Sequence, residues 1–181
     1  GKEKILKKLP NQNHEFLKGN FPYTINPGGP NHEELVSLIG IYEYFNNLYN
    51  HHFNKKNISL RKKIERINDL IANHEEILAN HLLDYLSRRS DINLIGKRKI
   101  EKKNRAPIIS FTFKNITSKK ISEILVKNKI ATRNDNFYAW RCLEAHSINV
   151  NDGVVRISMV HYNSLKDVDT LISALEKTKN L

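Results

Sequence analysis

An arginine stands at the centre of the apolar segment GVVRISMVHYNS, residues 153–164. The segment is typical of a β-strand, in which side chains alternate between two faces. Val155 and Ile157 would then share one face, and Arg156 would lie on the other. A planar guanidinium held in a strand can bind a carboxylate through paired hydrogen bonds. An edge-strand arginine that covers the surface with its aliphatic stem is an equally good interpretation from the residues alone.

The turn NPGGPN, residues 26–31, is a second candidate because two prolines bracket Gly28 and Gly29. Asn31 is a predicted helix N-cap, and Glu34 completes a capping-box pattern. Backbone N–H groups at a helix start can bind phosphate. The sequence has no Walker-type or dinucleotide-binding glycine pattern, so a structural turn is favoured.

Cysteine and histidine give weaker signals. Cys142, the only cysteine, precedes His146 by one helical turn. Nothing else in the sequence supports a thiolate nucleophile there, so a small core cysteine is predicted. His74 and His81 would lie roughly 10 Å apart along a helix, too far to share one ion, and no metal site is predicted.

Composition limits the classes of protein. The 181 residues are 39% hydrophobic and 27% charged, without an apolar run near the ~20 residues that span a bilayer and without a signal-peptide pattern. We therefore expect a cytoplasmic globular protein with no membrane partner. The net charge of +11 admits a nucleic-acid partner. The basic run 96–105 lacks an aromatic residue for base stacking, so a solvated loop is favoured there.

The elements that must position these residues fall into two regions. Residues 1–55 contain a short helix, the Gly/Pro turn and a helix over 32–50 with an apolar side formed by Leu35, Leu38, Ile39, Tyr42 and Phe45. Residues 56–181 begin with a long helix over 59–88. Strands and helices then follow, over 92–96, 107–113, 118–128, 129–133, 138–146 and the segment of Arg156, with a last helix capped by Ser164. This order predicts an α+β fold, with a three- or four-stranded mixed or antiparallel sheet covered by helices mostly on one face.

Four stretches, in this order, resemble the C-terminal part of the class V aminotransferases, and more narrowly their cysteine desulfurase-like branch. They are GKEKILKKLPNQNHEF, INPGGPNHE, IATRNDNFYAWRCLEA, and GVVRISMVHYNS followed by DVDTLISAL. These enzymes are of fold type I and use pyridoxal phosphate. The resemblance implies that residues 1–55 are the incomplete tail of the large cofactor-binding domain and residues 56–181 the small C-terminal domain. It also implies a homodimer in the full-length protein.

The resemblance further implies roles for individual residues. Arg156 would bind the α-carboxylate of an amino-acid substrate. Asn136 and Tyr138 would lie near the mouth of the active site. The backbone N–H groups of Gly28 and Gly29 would reach the phosphate of the neighbouring subunit's pyridoxal phosphate.

The sequence departs from the family pattern in two ways. Tyr138 stands where the cysteine desulfurases carry their reactive cysteine, and Cys142 does not match that position, so desulfurase activity is not expected. The family's cofactor lysine precedes the segment that opens this chain, and no lysine here has the Ser/Thr-x-His-Lys context. We therefore expect a C-terminal fragment that has no catalytic residue of its own and is inactive alone. Two alternatives stay open: a basic nucleic-acid-binding module, and a non-catalytic relative that keeps the fold.

Overall fold

The computed structural model describes residues 2–24, 28–54, 58–101 and 104–180. The chain divides into two compact units, Gly1–Ile67 and Asn68–Leu181. The sequence places a boundary near residue 55, and the assignment of domains stays a prediction. The start of the NPGGPN turn, that boundary and part of the basic run lie outside the described residues. In the described ranges, no helix has the length and apolarity needed to cross a membrane.

The first unit is helical. Helix α1 spans Glu3–Leu6, helix α2 spans His32–His52, and helix α3, which spans Leu60–Ser87, begins in this unit. The side chain of Asn31 accepts a hydrogen bond from the Glu34 N–H at 3.0 Å, as an N-cap should. The predicted helices over 32–50 and 59–88 are therefore confirmed.

Helix α2 carries large apolar side chains around its whole circumference. On the predicted apolar side, Phe45 is half-buried and the other four residues are exposed. Residues on the other faces are exposed too, and Leu35, Val36, Leu38, Ile39, Ile41, Tyr42 and Tyr44 are all 43–63% exposed. A helix that is apolar all round is typical of burial inside a larger protein or assembly. Near the C-terminal end of α2, Tyr49 is fully buried.

The second unit is built on a four-stranded antiparallel sheet. Strands β1 (Ile92–Ile95), β2 (Ile108–Phe113), β3 (Arg133–Asp135) and β4 (Val154–Ser158) lie in the order β1-β2-β4-β3. Helices α4 (Ser118–Lys127), α5 (Trp140–Ala145) and α6 (Leu165–Glu176) complete the unit. The predicted α+β fold with a small antiparallel sheet is confirmed.

The third strand lies later in the sequence than predicted. Residues 129–133 were expected to form it, but it begins only at Arg133. Lys129 has a left-handed conformation with φ 62° immediately after α4. The N–H of Ile130 then bonds back to the carbonyl of Leu125 at 3.0 Å. This turn ends α4, and the strand therefore begins later in the sequence than predicted.

Strand register determines which side chains of the sheet face the core and which face the other way. Val155 and Ile157 of β4 lie opposite Phe111 and Ile109 of β2, and all four are buried. Their face packs against apolar side chains of the helices: Leu78, Leu82, Leu86, Ile121, Leu125, Val168, Leu171 and Leu175. Because side chains alternate along a strand, Arg156 lies on the opposite face of the sheet.

Arg89 is a buried arginine just after the end of α3, and it forms several hydrogen bonds. The Arg89 guanidinium bonds to both carboxylate oxygens of Asp91, at 2.7 and 2.5 Å. It also donates to the Tyr85 hydroxyl at 2.7 Å and to the Leu175 carbonyl at 3.1 Å. Burial, together with a hydrogen bond to Glu176, raises the pKa of Tyr85 to about 12.

This pKa predicts a loss of stability in alkaline solution. Neutral Tyr85 stabilises the fold below its unfolded pKa of 10.0, and that contribution is lost as pH rises through about 12. We expect Tyr85→Phe to flatten this part of the profile of unfolding free energy against pH. Urea denaturation of both proteins across this range measures it. The two proteins differ only at residue 85, so parallel profiles would contradict the prediction.

Helix α6 begins with a complete capping box. The Ser164 hydroxyl accepts the N–H of Asp167 at 3.3 Å, and the Asp167 carboxylate accepts the N–H of Ser164 at 2.8 Å. The hydrogen bonds from Ser164 hold the pKa of Asp167 below its usual value. The predicted cap is therefore confirmed.

We expect Ser164→Ala to lower the free energy of unfolding by about 1 kcal/mol, because one N–H of the first helical turn loses its acceptor. Urea denaturation measures the change. Thr170→Ala is the matched control, since this exposed hydroxyl donates to the Lys166 carbonyl within α6 and caps no helix end. The control should stay within about 0.5 kcal/mol of the wild type. Equal losses in both variants would contradict the capping role.

Candidate carboxylate site

Arg156 occupies the centre of β4, on the face of the sheet opposite the helical core. It lies opposite Ser110 of β2 and Arg133 of β3. The side chain is half-buried. Its Nε is buried and makes no hydrogen bond within the described part of the chain. A half-buried guanidinium that has no ion pair with a described carboxylate is suited to an anionic ligand.

Two positive charges stand side by side on this face. Arg133 and Arg156 are directly opposed residues on neighbouring strands, where like charges repel. Neither forms an ion pair with a described carboxylate. The positive potential that results favours a negatively charged ligand.

An aromatic ring lies against the Arg156 guanidinium. The ring centroid of Phe137 is 4.1 Å from the Arg156 guanidinium carbon and 5.9 Å from that of Arg133. Phe137 belongs to the loop that follows β3, so this loop and β4 together form the surroundings of Arg156.

The loop after β3 is held in an unusual conformation. Phe137 and Tyr138 have positive φ values of 51° and 59°, which non-glycine residues adopt infrequently. The Asn136 side chain stabilises the turn, since its Oδ1 accepts the Tyr138 N–H at 3.0 Å. Its Nδ2 donates to the Val150 carbonyl at 3.4 Å. The Tyr138 side chain is fully exposed.

Gly153 fixes the position of this loop against β4. Its φ is +65°, and a Cβ added there would lie 2.2 Å from the carbonyl carbon of Asp135 and 2.7 Å from the Asn136 nitrogen. Only glycine allows so close an approach of two backbones. The spacing between β4 and the Phe137 loop therefore depends on residue 153.

Gly28 and Gly29 lie in the first unit and both have a left-handed backbone conformation. Their φ values are +85° and +83°, and a Cβ added to either would meet no atom within 4 Å. Glycine is therefore favoured at both positions by the backbone conformation, and not because a side chain would clash with neighbouring atoms. Backbone N–H groups in such a turn can bind an anion such as a phosphate.

The described lysines do not fit the role of the cofactor-bonding residue. That lysine is normally desolvated against the cofactor. None of the described lysines is buried. Lys63, which is half-buried, donates to Asn46 at 2.8 Å.

The other candidates do not join the site. Cys142 is exposed, which corrects the prediction of a core cysteine. His74 Nε2 lies 2.7 Å from the Asn163 carbonyl, and His81 Nε2 lies 2.7 Å from Asp169. No metal-binding group of three or more His, Cys, Asp or Glu occurs among the described residues. A cavity of about 570 Å³ lies along β1, and Arg156 is not among its lining residues.

The fold and these motifs define the class of protein. The Aminotransferase class-V family model matches residues 55–171, more than half of the chain, so the chain belongs to this family. The aminotransferase-like protein FGM3 of Gibberella zeae is 35% identical over 60% of this chain and 27% of its own length. The probable cysteine desulfurase of Borreliella burgdorferi is 26% identical over 93% of this chain and 35% of its own length.

Solved structures agree on the fold. The cysteine desulfurase CsdA of Escherichia coli matches 88% of this chain and 33% of its own, with a TM-score of 0.64 and 18% identity. The cysteine desulfurase of Thermococcus onnurineus NA1 matches 67% and 29%, with a TM-score of 0.57 and 27% identity. The predicted resemblance is confirmed. The chain spans about a quarter to a third of the length of the curated relatives quoted above.

Proposed function

We propose that this chain carries the substrate-carboxylate site of a pyridoxal-phosphate-dependent enzyme that acts on an amino acid. The observation that supports it is the Arg156 guanidinium, half-buried on the sheet face opposite the core and without an ion pair to a described carboxylate. A planar guanidinium matches a carboxylate in shape and charge.

Five residues of the chain have a role in this proposal. Pyridoxal phosphate, when bound, supplies an electron sink for bonds to the amino-acid Cα. Arg156 holds the α-carboxylate, and a fixed carboxylate fixes the Cα relative to the reacting groups. Asn136 maintains the loop after β3, and Tyr138 stands at the mouth of the site. The backbone N–H groups of Gly28 and Gly29 would bind the phosphate of the cofactor in the neighbouring subunit.

We also propose that the cofactor-bonding lysine is supplied from outside this chain. The support is that no described lysine is buried, whereas the role needs a desolvated amine. The chain alone would then be inactive, as expected from its family resemblance.

Absorption spectroscopy tests this proposal in the protein that contains this sequence. After incubation with pyridoxal phosphate and removal of the excess, we expect a cofactor band that borohydride abolishes. Addition of an L-amino acid should change the band at a lower concentration than addition of the amine that lacks only the carboxylate. The 181-residue chain should show no such band. Equal responses to the acid and the amine would remove carboxylate recognition from the proposal.

The exposed apolar surface of α2 supports the homodimer that the family implies. We propose that a second subunit covers this surface in the full-length protein. In the full-length protein, light scattering should give a dimer for the wild type and a monomer for the double variant L38E/Y42E. Asn47→Glu is the control, because it adds charge to α2 without removing an exposed apolar side chain. A dimeric double variant would place the interface elsewhere.

A further inference from the structure

We propose that Phe137 is a positioning residue for Arg156: its ring holds the guanidinium by a cation–π contact and leaves the N–H donors to the substrate. This inference rests on the proposed function of Arg156. It concerns a residue whose importance the family resemblance did not indicate.

The contact is close, and it lies where the arginine has no other described partner. The guanidinium carbon of Arg156 is 4.1 Å from the ring centroid of Phe137, well inside the ~6 Å range of cation–π attraction. The buried Nε makes no hydrogen bond to a described residue. The ring face is therefore the described group that stabilises this cation directly.

An aromatic ring suits this role better than a carboxylate would. An aspartate or glutamate partner would accept hydrogen bonds from the guanidinium fork and compete with the substrate. A ring attracts the charge through its face and has no strong acceptor. Phe137 can thus hold the guanidinium while its N–H donors stay available for a carboxylate ligand.

The backbone around Phe137 shows how the ring is held in place. Phe137 and Tyr138 both have left-handed φ values. The Asn136 side chain accepts the Tyr138 N–H at 3.0 Å, and the Asn136 carbonyl accepts the Ala139 N–H at 2.8 Å. Gly153 packs against the backbone of Asp135 and Asn136 at a distance that excludes a Cβ. Strained conformations persist where the surroundings fix them, and they occur often at functional sites.

A double-mutant cycle tests the inference in the protein that contains this sequence. Phe137→Leu keeps an apolar L-residue at the same φ but removes the ring. We expect it to lower kcat/KM for the amino acid between about twofold and thirtyfold, the range of cation–π contacts, mainly through KM. Phe137→Tyr should restore most of the loss. In an Arg156→Ala background, Phe137→Leu should have no further effect.

A second measurement is independent of cofactor and activity. In the 181-residue chain labelled with ¹⁵N-arginine, the Nε–H signal of Arg156, assigned with Arg156→Lys, should be displaced by the ring current of Phe137. Phe137→Tyr should keep the displacement, and Phe137→Leu should abolish it. Trp140→Leu, which removes an exposed ring from the neighbouring helix, should leave both the signal and KM unchanged.

The outcomes separate the two proposals. A large loss in Arg156→Ala with wild-type KM in Phe137→Leu would overturn the role of Phe137 alone. An Nε–H signal at the ordinary position in the wild type would do the same. Unchanged kcat/KM in Arg156→Ala would overturn the proposed function, whatever the spectra show.

Discussion

We expect Arg156→Ala to lower kcat/KM for the proposed amino-acid substrate by about 30-fold to 1000-fold in the protein that contains this sequence, which corresponds to roughly 2–4 kcal/mol. The magnitude follows from the loss of a partly desolvated, charge-assisted contact whose carboxylate partner is left unpaired.

Two further variants make this prediction more specific. Arg156→Lys keeps the charge but lacks the planar fork, so we expect a loss intermediate between those of wild type and Arg156→Ala. Arg141→Ala removes a guanidinium from the exposed surface of α5 and should leave kcat/KM unchanged. Steady-state kinetics with one amino acid compares the three variants. If the Arg156→Ala and Arg141→Ala variants gave the same kcat/KM, Arg156 would not contact the substrate.

The sequence was informative where local physics decides the structure. The alternation of Val155, Arg156 and Ile157 predicts a strand with the arginine on the face opposite the core, and the register of β4 agrees. Ser164 predicts a helix start because an N-cap side chain accepts its hydrogen bond from an N–H within the same turn. Such features need only neighbours in the chain.

The sequence was less informative where distant groups or unusual backbone conformations decide. Phe137 gave no signal, because its left-handed φ and its contact with Arg156 arise only once β3 and β4 pair. Arg133 was read as the end of a strand, and its position opposite Arg156 depends on register. The exposure of α2 could not be foreseen either, since an apolar pattern predicts that a helix is buried without saying by what.

The glycine before β4 gives the largest expected effect on stability. We expect Gly153→Ala to lower the free energy of unfolding by about 2–5 kcal/mol. An alanine with a left-handed backbone costs about 1–2 kcal/mol, and overpacking adds about 1–3 kcal/mol. The second cost applies because the new Cβ would lie 2.2 Å from the carbonyl carbon of Asp135, where backbone, and not a flexible side chain, must move.

Gly96→Ala separates the two costs. Gly96 also has a positive φ, +86°, but a Cβ there would first meet an Arg105 guanidinium atom at an ordinary 3.7 Å. This control should lose only the conformational part, about 1–2 kcal/mol. Urea denaturation of both variants gives the difference in unfolding free energy, and equal losses would mean that the backbones at 135 and 153 are not in contact.

Because the displaced segment leads into the Phe137 loop, any folded Gly153→Ala protein should also show a raised KM. This result would link the packing of Gly153 to the geometry of Arg156.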